Sequence, residues 1–278
     1  MTASQPAPVA VGAIGGSGTR VVARFLDDAG YYMGSDLNRA HDNLWFTLLF
    51  IRPDVLVEPP HVFERLVRIF YRRMTGGLDA DARLSRIVEA LAARPRPQHK
   101  ADWLRARAAS LLDTADMAVP ARWGWKAPNT HIVIDRLLEL DPRLRYVHVT
   151  RNGLDMAFSE NQNQLQLWGP VLLNRDIALT PRDSLAYWCA AHRRMRAIAR
   201  RHPERVMFLD FDRLCREPAA VCGALCRFLG HQPPEAVISR FAATVETPAS
   251  SGRFRRQPDA AFDPGDVGFV ARWGYPTS

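Results

Sequence analysis

The sequence predicts an α/β fold in which a central parallel sheet is flanked by helices and interrupted by a helical insertion. Short apolar segments alternate with amphipathic helical segments, and 47% of the 278 residues are hydrophobic, which suffices for a large core. Strands separated by helices pair in parallel, with helices on both faces of the sheet. We expect a single domain over residues 1–278, with the insertion at about 43–122 and an irregular C-terminal tail at about 247–278.

The first elements follow from local patterns. The apolar run PVAVGAI reads as a buried strand between Pro8 and Gly15. A helix follows, suited to end at Gly30, because five apolar residues share one helical face: Val21, Val22, Phe25, Leu26 and Ala29. YYMG is expected to form a short second strand. The insertion then shows helical periodicity, which Pro95 and Pro97 interrupt.

After the insertion the α/β pattern resumes. Strands are predicted at WGWKAP, LRYVHVT and RVMFLDF. Helices are predicted at THIVIDRLLELDP, from the start of GLDMAFSENQNQL, at PRDSLAYWCAAHRRMRAIARRHP and at PAAVCGALCRFLG. The later strands of the sheet are therefore expected from the part of the chain that follows the insertion.

The net charge of +8 comes almost entirely from arginine, because Lys100 and Lys126 are the only lysines. Arginine binds phosphate or sulfate through a planar fork, so this balance suits an anionic ligand. A high-GC bacterial codon bias is the alternative explanation. No basic run exceeds two arginines and no aromatic repeat accompanies them, so a nucleic-acid-binding module is not expected.

The N-terminal segment and the cysteines indicate the compartment. The segment MTASQPAPVAVGAIGG has no basic region, and its apolar run is too short for a signal peptide or a transmembrane segment, so we expect a soluble, cytoplasmic protein. Four cysteines in a chain of this length do not indicate a disulfide scaffold. Cys222 and Cys226 have the spacing to share a metal, but no His/Cys cluster completes a site, so packed core thiols and no metal are expected.

The segment GGSGT after the first strand has the composition of a phosphate-binding turn. Gly15, Gly16 and Gly18 allow a close approach to the backbone, Ser17 and Thr19 add hydroxyl groups, and a helix N-terminus follows. A tight turn without a ligand is the alternative. The motif of the nucleoside-triphosphatase loop does not match because no Gly-Lys-Ser/Thr occurs, and the dinucleotide fingerprint does not match because its third glycine is absent.

Four segments occur in a characteristic order: GGSGTR, WKAPNTHIVIDRLLELDPRLRYVHVTRNGLDMAFS, FLDFDRLCREPAAVCGALCRFLG and SSGRFRR. In these segments the sequence resembles the sulfotransferase superfamily, whose members transfer a sulfuryl group from 3′-phosphoadenosine-5′-phosphosulfate (PAPS) to an acceptor. The resemblance covers residues 9–30 and 123 to about 257, and leaves the helical middle unmatched. It implies the P-loop-like sulfotransferase fold, PAPS as co-substrate, 3′-phosphoadenosine-5′-phosphate (PAP) as product, and no metal.

The resemblance also implies roles for individual residues. Arg151 and Ser159 match the ligands of the 3′-phosphate, and Gly252 with Arg253 match a C-terminal motif that closes on the same phosphate. Phe211 occupies the position of an aromatic residue that stacks on adenine. Surface ion pairing of Arg151, solvation of the tail arginines and a core position for Phe211 are the alternatives.

The main departure from the family is the missing cation of the first loop, where Gly16 stands. Arg20 can supply part of that charge, and Lys126 is the better candidate because it matches a family lysine near the transferred group. Charge builds on the bridging oxygen during in-line transfer, so a fixed cation there lowers the barrier. A surface lysine is the alternative interpretation.

A base must accept the proton of the acceptor hydroxyl. In many related enzymes it is a carboxylate soon after the first helix, and in others a histidine. Asp42 is the first choice here, followed by His41 and Asp36, whereas helix capping is the alternative role of Asp42. His131 is expected to be structural.

The acceptor is expected to be a glycan, a lipid or another small molecule, bound by the helical middle. Trp45, Phe46 and Trp103 could pack on a sugar or a lipid, or belong to the core. Two other functions stay open: a catalytically inactive protein that binds PAP or another nucleotide, and a P-loop phosphotransferase. The sequence also leaves a homo-oligomer open.

Overall fold

The computed structural model describes residues 7–113, 119–257 and 261–278. It contains a four-stranded sheet, in the order β2-β1-β3-β4, whose neighbouring strands all pair in parallel. The strands are β1 (Val9–Ala13), β2 (Gly124–Lys126), β3 (Arg145–Thr150) and β4 (Val206–Asp210). The predicted α/β class with a central parallel sheet is confirmed.

Helices surround this sheet. In chain order they are α1 (Thr19–Asp28), α2 (Leu44–Phe50), α3 (Pro60–Met74), α4 (Ala82–Ala93), α5 (Ala101–Leu112), α6 (Thr130–Leu140), α7 (Gly153–Ala157), α8 (Asn163–Leu173), α9 (Pro181–Arg201), α10 (Phe211–Arg216), α11 (Pro218–Leu229), α12 (Glu235–Ala242) and α13 (Pro264–Ala271). Short 3₁₀ helices occupy Pro53–Val57 and Arg253–Arg256. Across the described residues, no helix combines the length and apolar character needed to cross a membrane.

Both faces of the sheet are buried because successive strand side chains point to opposite faces. In β1, Ala10 belongs to one apolar cluster, whereas Val9, Val11 and Ala13 belong to the other. The second cluster lies under α1 and α11, where Val22 and other apolar side chains face the sheet. The continuous apolar character of β1 in the sequence is therefore that of a strand covered on both sides.

Helices α2 to α5 lie within the predicted insertion at 43–122 and share the first apolar cluster with the sheet. Trp45 and Phe46 are fully buried, and the Phe46 ring stacks on Trp125 of β2 with 5.6 Å between ring centroids. Trp45 and Phe46 therefore belong to the core. Of the three aromatic residues considered for acceptor binding, Trp103 is half-buried and remains able to contact a ligand.

Two local predictions are wrong, and the helix predicted from the start of GLDMAFSENQNQL is confirmed. YYMG forms no strand, since Tyr32 makes only an isolated bridge with Trp123, so LRYVHVT, which Arg151 follows, supplies the third strand of the chain and not a fourth. Helix α7 begins at Gly153 and ends at Ala157, and α8 follows after a turn in which the Ser159 hydroxyl accepts the Asn161 N–H. The tail at 247–278 is not wholly irregular, because Asp263 caps α13.

Three histidines are buried around β3, α6 and α9. His131 is 1% exposed, whereas His148 and His192 are fully buried. Burial lowers the pKa of His131 to about 4 and that of His192 to about 3, and it holds the pKa of His148 well below its usual range. His131 is held by the Pro128 carbonyl, 2.9 Å from Nδ1, and by the Tyr187 hydroxyl. All three histidines are therefore neutral parts of the core.

The buried histidines predict a loss of stability in acid. Unfolded histidines titrate near pH 6.5, so on acidification the unfolded state takes up protons before the folded state does. The free energy of unfolding should be constant above about pH 6.5 and fall toward pH 4, by about 2 kcal/mol per histidine at pH 5. Urea unfolding from pH 8 to pH 5 measures this. His192→Gln should flatten the slope, and equal slopes for both proteins would contradict the account.

Candidate active site

The candidate site residues lie at one edge of the sheet. Parallel strands end at the same edge, and ligands of open α/β sheets bind outside their carboxyl ends. Residues 15–20 follow β1, Lys126 ends β2, Arg151 follows β3 and Phe211 follows β4. The fold therefore brings together segments that are far apart in the sequence.

The glycine loop between β1 and α1 presents unpaired backbone donors. Gly16 and Gly18 have φ values of 91° and 88°, which only glycine adopts without strain. Within the described residues, the N–H groups of Gly16, Gly18, Thr19 and Arg20 have no protein acceptor. The Ser17 hydroxyl donates to the Ile14 carbonyl, 2.7 Å away, and so holds the loop closed. These N–H groups and the positive end of α1 have the geometry and partial charge that suit an anion.

Two contacts of the loop explain its small residues. A Cβ on Gly18 would lie 2.1 Å from the Phe211 ring, so this ring packs directly on the loop backbone. Phe211 is 4% exposed and belongs to the second apolar cluster. A Cβ on Gly16 would lie 3.4 Å from the Ser159 hydroxyl, which places the predicted phosphate ligand Ser159 beside the loop.

The Arg151 guanidinium faces the glycine loop. It is buried, with one terminal nitrogen donating to the Gly16 carbonyl at 3.2 Å and the other to the hydroxyls of Ser250 and Ser251 at 2.9 and 3.3 Å. Among the described residues its buried Nε has no hydrogen-bond partner, and the Asp212 carboxylate lies 3.9 Å from it. An arginine with an unused buried donor beside unpaired amides suits an oxyanion.

The C-terminal motif is tied to the same place through Asp155 of α7. The Asp155 carboxylate, which is 2% exposed, accepts the N–H groups of Gly252 and Phe254 at 2.8 and 3.3 Å. The Arg253 Nε donates to the Asp155 carbonyl at 2.7 Å. Burial lowers the pKa of Arg253, and the nearby positive charge of Arg151 lowers it further. The Arg151 and Arg253 guanidinium groups therefore lie near the same segment, and two positive charges in this arrangement suit a dianionic ligand.

Lys126 and Asp42 form an ion pair at the other side of the loop. Lys126 is 2% exposed, and its Nζ donates to one oxygen of the Asp42 carboxylate. The second Asp42 oxygen accepts the Asn38 amide at 2.8 Å. Burial lowers the pKa of Lys126, the Asp42 carboxylate opposes this, and the charge of Arg20, which is itself exposed, adds to the lowering.

The other two candidate bases lie elsewhere. Asp36 pairs with Arg107 of α5, with 3.0 Å between the charged atoms. His41 is partly exposed and adopts a φ of 61° in the turn before Asp42. Helix α2 is capped by Asn43, whose side chain accepts the N–H of Phe46, so Asp42 is free of that role.

A cavity of about 320 Å³ opens beside the ion pair. Its lining includes Gly15 of the loop, Asp42, and Trp103 from α5. Gln164 of α8 also lines it, and its amide accepts the Gly15 N–H and donates to the Ala13 carbonyl. The cavity thus connects the glycine loop with the insertion, and its size suits a small molecule.

Sequence reasoning missed several residues of this site. Ser250 and Ser251 connect the tail to Arg151, Asp155 binds the tail at Gly252, and Asn38 holds Asp42. The serines directly precede the Gly-Arg motif and could have been found there, whereas the role of Asp155 depends on a contact between segments about a hundred residues apart. In the described ranges, no group of three or more His, Cys, Asp or Glu side chains could hold a metal.

Comparisons with known proteins agree with this architecture. A family model described as the sulfotransferase family matches residues 8–235, so the chain belongs to the sulfotransferase family. Membership supports sulfuryl transfer as the general chemistry and confirms the resemblance seen in the sequence. No curated protein matches the chain.

Two solved structures of similar fold are bacterial sulfotransferases. The sulfotransferase domain of the olefin synthase from Synechococcus PCC 7002 is 16% identical, with a TM-score of 0.50 over 98% of this chain and 96% of that one. Sulfotransferase STF9 from Mycobacterium avium is 14% identical, with a TM-score of 0.52 over 98% of this chain and 76% of that one. At these identities the likeness shows the fold alone.

The contact between Gly18 and Phe211 predicts an unequal cost of two alanine substitutions. Gly18→Ala and Gly30→Ala both place alanine at a φ near 88°, which costs about 1–2 kcal/mol. Only Gly18→Ala meets a neighbour, since nothing lies within 4 Å of a Cβ at Gly30. Gly18→Ala should cost about 1–3 kcal/mol more in urea unfolding, and Phe211→Ala in the same chain should remove the excess. Equal losses from the two single variants would show that the ring does not pack on the loop.

Proposed function

We propose that this protein is a PAPS-dependent sulfotransferase that transfers a sulfuryl group to an acceptor hydroxyl. The position of Arg151 carries this proposal. Its buried guanidinium contacts the Gly16 carbonyl and the serines before the Gly-Arg motif, so segments matching the family's nucleotide ligands meet at one point.

The residues present fit PAPS or PAP. The unpaired N–H groups of the glycine loop suit a 5′-phosphate group, and the unpartnered Nε of Arg151 suits a second anion beside it. Ser159 and Arg253 would complete the 3′-phosphate site with Arg151. Phe211 is buried against Gly18, and its contact with adenine stays a prediction.

The ion pair of Lys126 and Asp42 supplies the groups that transfer needs. PAPS carries a sulfuryl group bonded through oxygen to its 5′-phosphate, and transfer bonds the sulfur to the acceptor oxygen while the electron pair of the broken bond stays with the phosphate. Lys126 donates a hydrogen bond to the oxygen that gains this charge. Asp42, which lines the cavity, accepts the proton of the acceptor hydroxyl.

The same pair compensates for the cation that is missing from the glycine loop. Lys126 is buried and would be costly to keep charged alone, so the Asp42 carboxylate stabilises it before an anion binds. An anionic donor gives the ammonium a second partner and leaves Asp42 more basic. This arrangement favours an enzyme over an inactive nucleotide-binding protein, because phosphate binding alone requires no carboxylate beside the lysine.

The two phosphate sites predict selectivity for the position of a phosphate. PAP should bind at least tenfold more tightly than adenosine 2′,5′-bisphosphate, which has the same charge but lacks the 3′-phosphate. Arg151→Gln should remove most of this preference while 5′-AMP binding changes little. Isothermal titration calorimetry measures the binding affinities of PAP, adenosine 2′,5′-bisphosphate and 5′-AMP for both proteins. Equal affinity for the two bisphosphates in the unchanged protein would reject the assignment of Arg151.

The ion pair predicts separate losses in turnover and binding. Lys126→Ala should lower kcat about 10²–10³-fold and Asp42→Asn about 10²–10⁴-fold, with PAP affinity mostly retained in both. Asp36→Asn is the matched control, because its carboxylate pairs with Arg107 outside the cavity. Transfer from labelled PAPS measures kcat per folded molecule. A larger loss in Asp36→Asn than in Asp42→Asn would move the base to Asp36, and undiminished turnover in both would move it to His41.

A further inference from the structure

The cavity beside the ion pair is lined by an unusual proportion of carboxamides. Six of its fifteen lining residues are of this type: Asn38, Gln98, Asn129, Asn161, Asn163 and Gln164. A carboxamide both donates and accepts hydrogen bonds, as does a hydroxyl group. A wall of such groups is therefore matched to a ligand with several hydroxyls.

Part of this hydrogen-bonding capacity is unused. Asn129 accepts from Trp168 through its oxygen, and Asn161 accepts the N–H of Asn163, but among the described residues the NH₂ groups of Asn129 and Asn161 have no partner. Gln98 donates to the Asn163 carbonyl, and its own oxygen has no partner in the same ranges. In these three side chains, two NH₂ groups and one carbonyl oxygen thus remain for a ligand, held in place by the bonds that the other ends of the same side chains make.

Apolar groups complete the lining. His99 and Trp103 stack with 4.1 Å between their centroids and form one wall, to which Leu44 and Ile51 add aliphatic surface. A pyranose ring presents hydroxyls at its rim and C–H groups on its faces, which matches a polar wall combined with a small apolar one. A long alkyl chain would leave the carboxamides without partners.

The charge of the cavity selects against anions. Among the described residues that line the cavity, none is a lysine or arginine, and Asp42 supplies the one carboxylate. Burial and the nearby Arg96 lower the pKa of His99, so this ring is neutral at pH 7. An acceptor bearing a carboxylate or sulfate would lose hydration here without gaining a cationic partner.

We infer that the acceptor is an uncharged saccharide, whose hydroxyl gives its proton to Asp42 as its oxygen takes the sulfuryl group from PAPS and PAP leaves. This inference rests on the proposed function, and it adds the class of acceptor. It distinguishes a neutral sugar from the lipid, phenol and anionic-glycan acceptors that the reaction alone would permit.

A matched pair of acceptors tests the inference. Methyl glucoside and methyl glucuronide differ by one carboxylate, and 4-nitrophenol and decanol represent the other classes. With labelled PAPS, the glucoside should give kcat/KM at least tenfold above each of the other three. A phenol, alcohol or glucuronide that equals or exceeds the glucoside overturns the inference.

Direct binding separates this result from failure of the proposed function. Saturation-transfer NMR with the PAP-loaded protein should show contact with the glucoside and not with the glucuronide, whether or not transfer is detected. Failure of PAP itself to bind would contradict the proposed function. Glucoside contact measured on the protein without nucleotide would then still decide the class of ligand. The absence of glucoside contact both with and without PAP would overturn the inference.

Four substitutions test whether the acceptor binds in this cavity. Gln98→Leu and Asn161→Leu should each lower kcat/KM for the glucoside about tenfold, mainly through KM. Gln166→Leu, on the exposed side of α8 and outside the lining, should change it less than twofold. Gln98→Arg should reduce the ratio of kcat/KM for the glucoside to kcat/KM for the glucuronide, because the arginine supplies a cation for the carboxylate. Equal losses of kcat/KM in Gln98→Leu and Gln166→Leu would contradict binding of the acceptor in this cavity. An unchanged ratio of kcat/KM between the two acceptors in Gln98→Arg would contradict it as well.

Discussion

The contact between the buried Arg151 guanidinium and the carbonyl of Gly16 organises the candidate site. It joins the end of β3 to the loop after β1, and the same guanidinium reaches the serines of the C-terminal segment. A buried guanidinium needs partners for its donors, and here backbone and hydroxyl oxygens accept from both terminal nitrogens, whereas Nε has no partner among the described residues. The cation is therefore oriented before any ligand binds, which reduces the free energy spent on ordering it.

The second organising feature is the separation of charges across the glycine loop. Arg151 and Arg253 lie toward the C-terminal segment, and Lys126 with Asp42 lies toward the insertion. The first pair suits a ligand with permanent negative charge. In the second pair the two charges neutralise each other, and none of the described residues that line the cavity beside it is a lysine or arginine. One edge of the sheet thus places groups suited to an anion beside this cavity, an arrangement that suits group transfer from an anionic donor to a neutral acceptor.

The sequence predicted the sheet and most helices because strands and helices depend on local patterns. The same patterns offered candidate site residues, whose roles stay predictions. The β1 strand, the GGSGT turn and Arg151 after β3 are each visible in a short segment. The YYMG strand was wrong because a single bridge from Tyr32 cannot be distinguished from a strand by composition. The pairing of Asp42 with Lys126, and of Asp155 with the tail, joins segments about 85 to 100 residues apart and could be established only by the fold.

A crystal structure of the protein with PAP would test the central claim most directly. We predict that the 5′-phosphate accepts hydrogen bonds from N–H groups of residues 16–20. The 3′-phosphate should contact Arg151, Ser159 and Arg253. PAP bound with its 3′-phosphate away from Arg151, or with the glycine loop in contact with no phosphate, would contradict it.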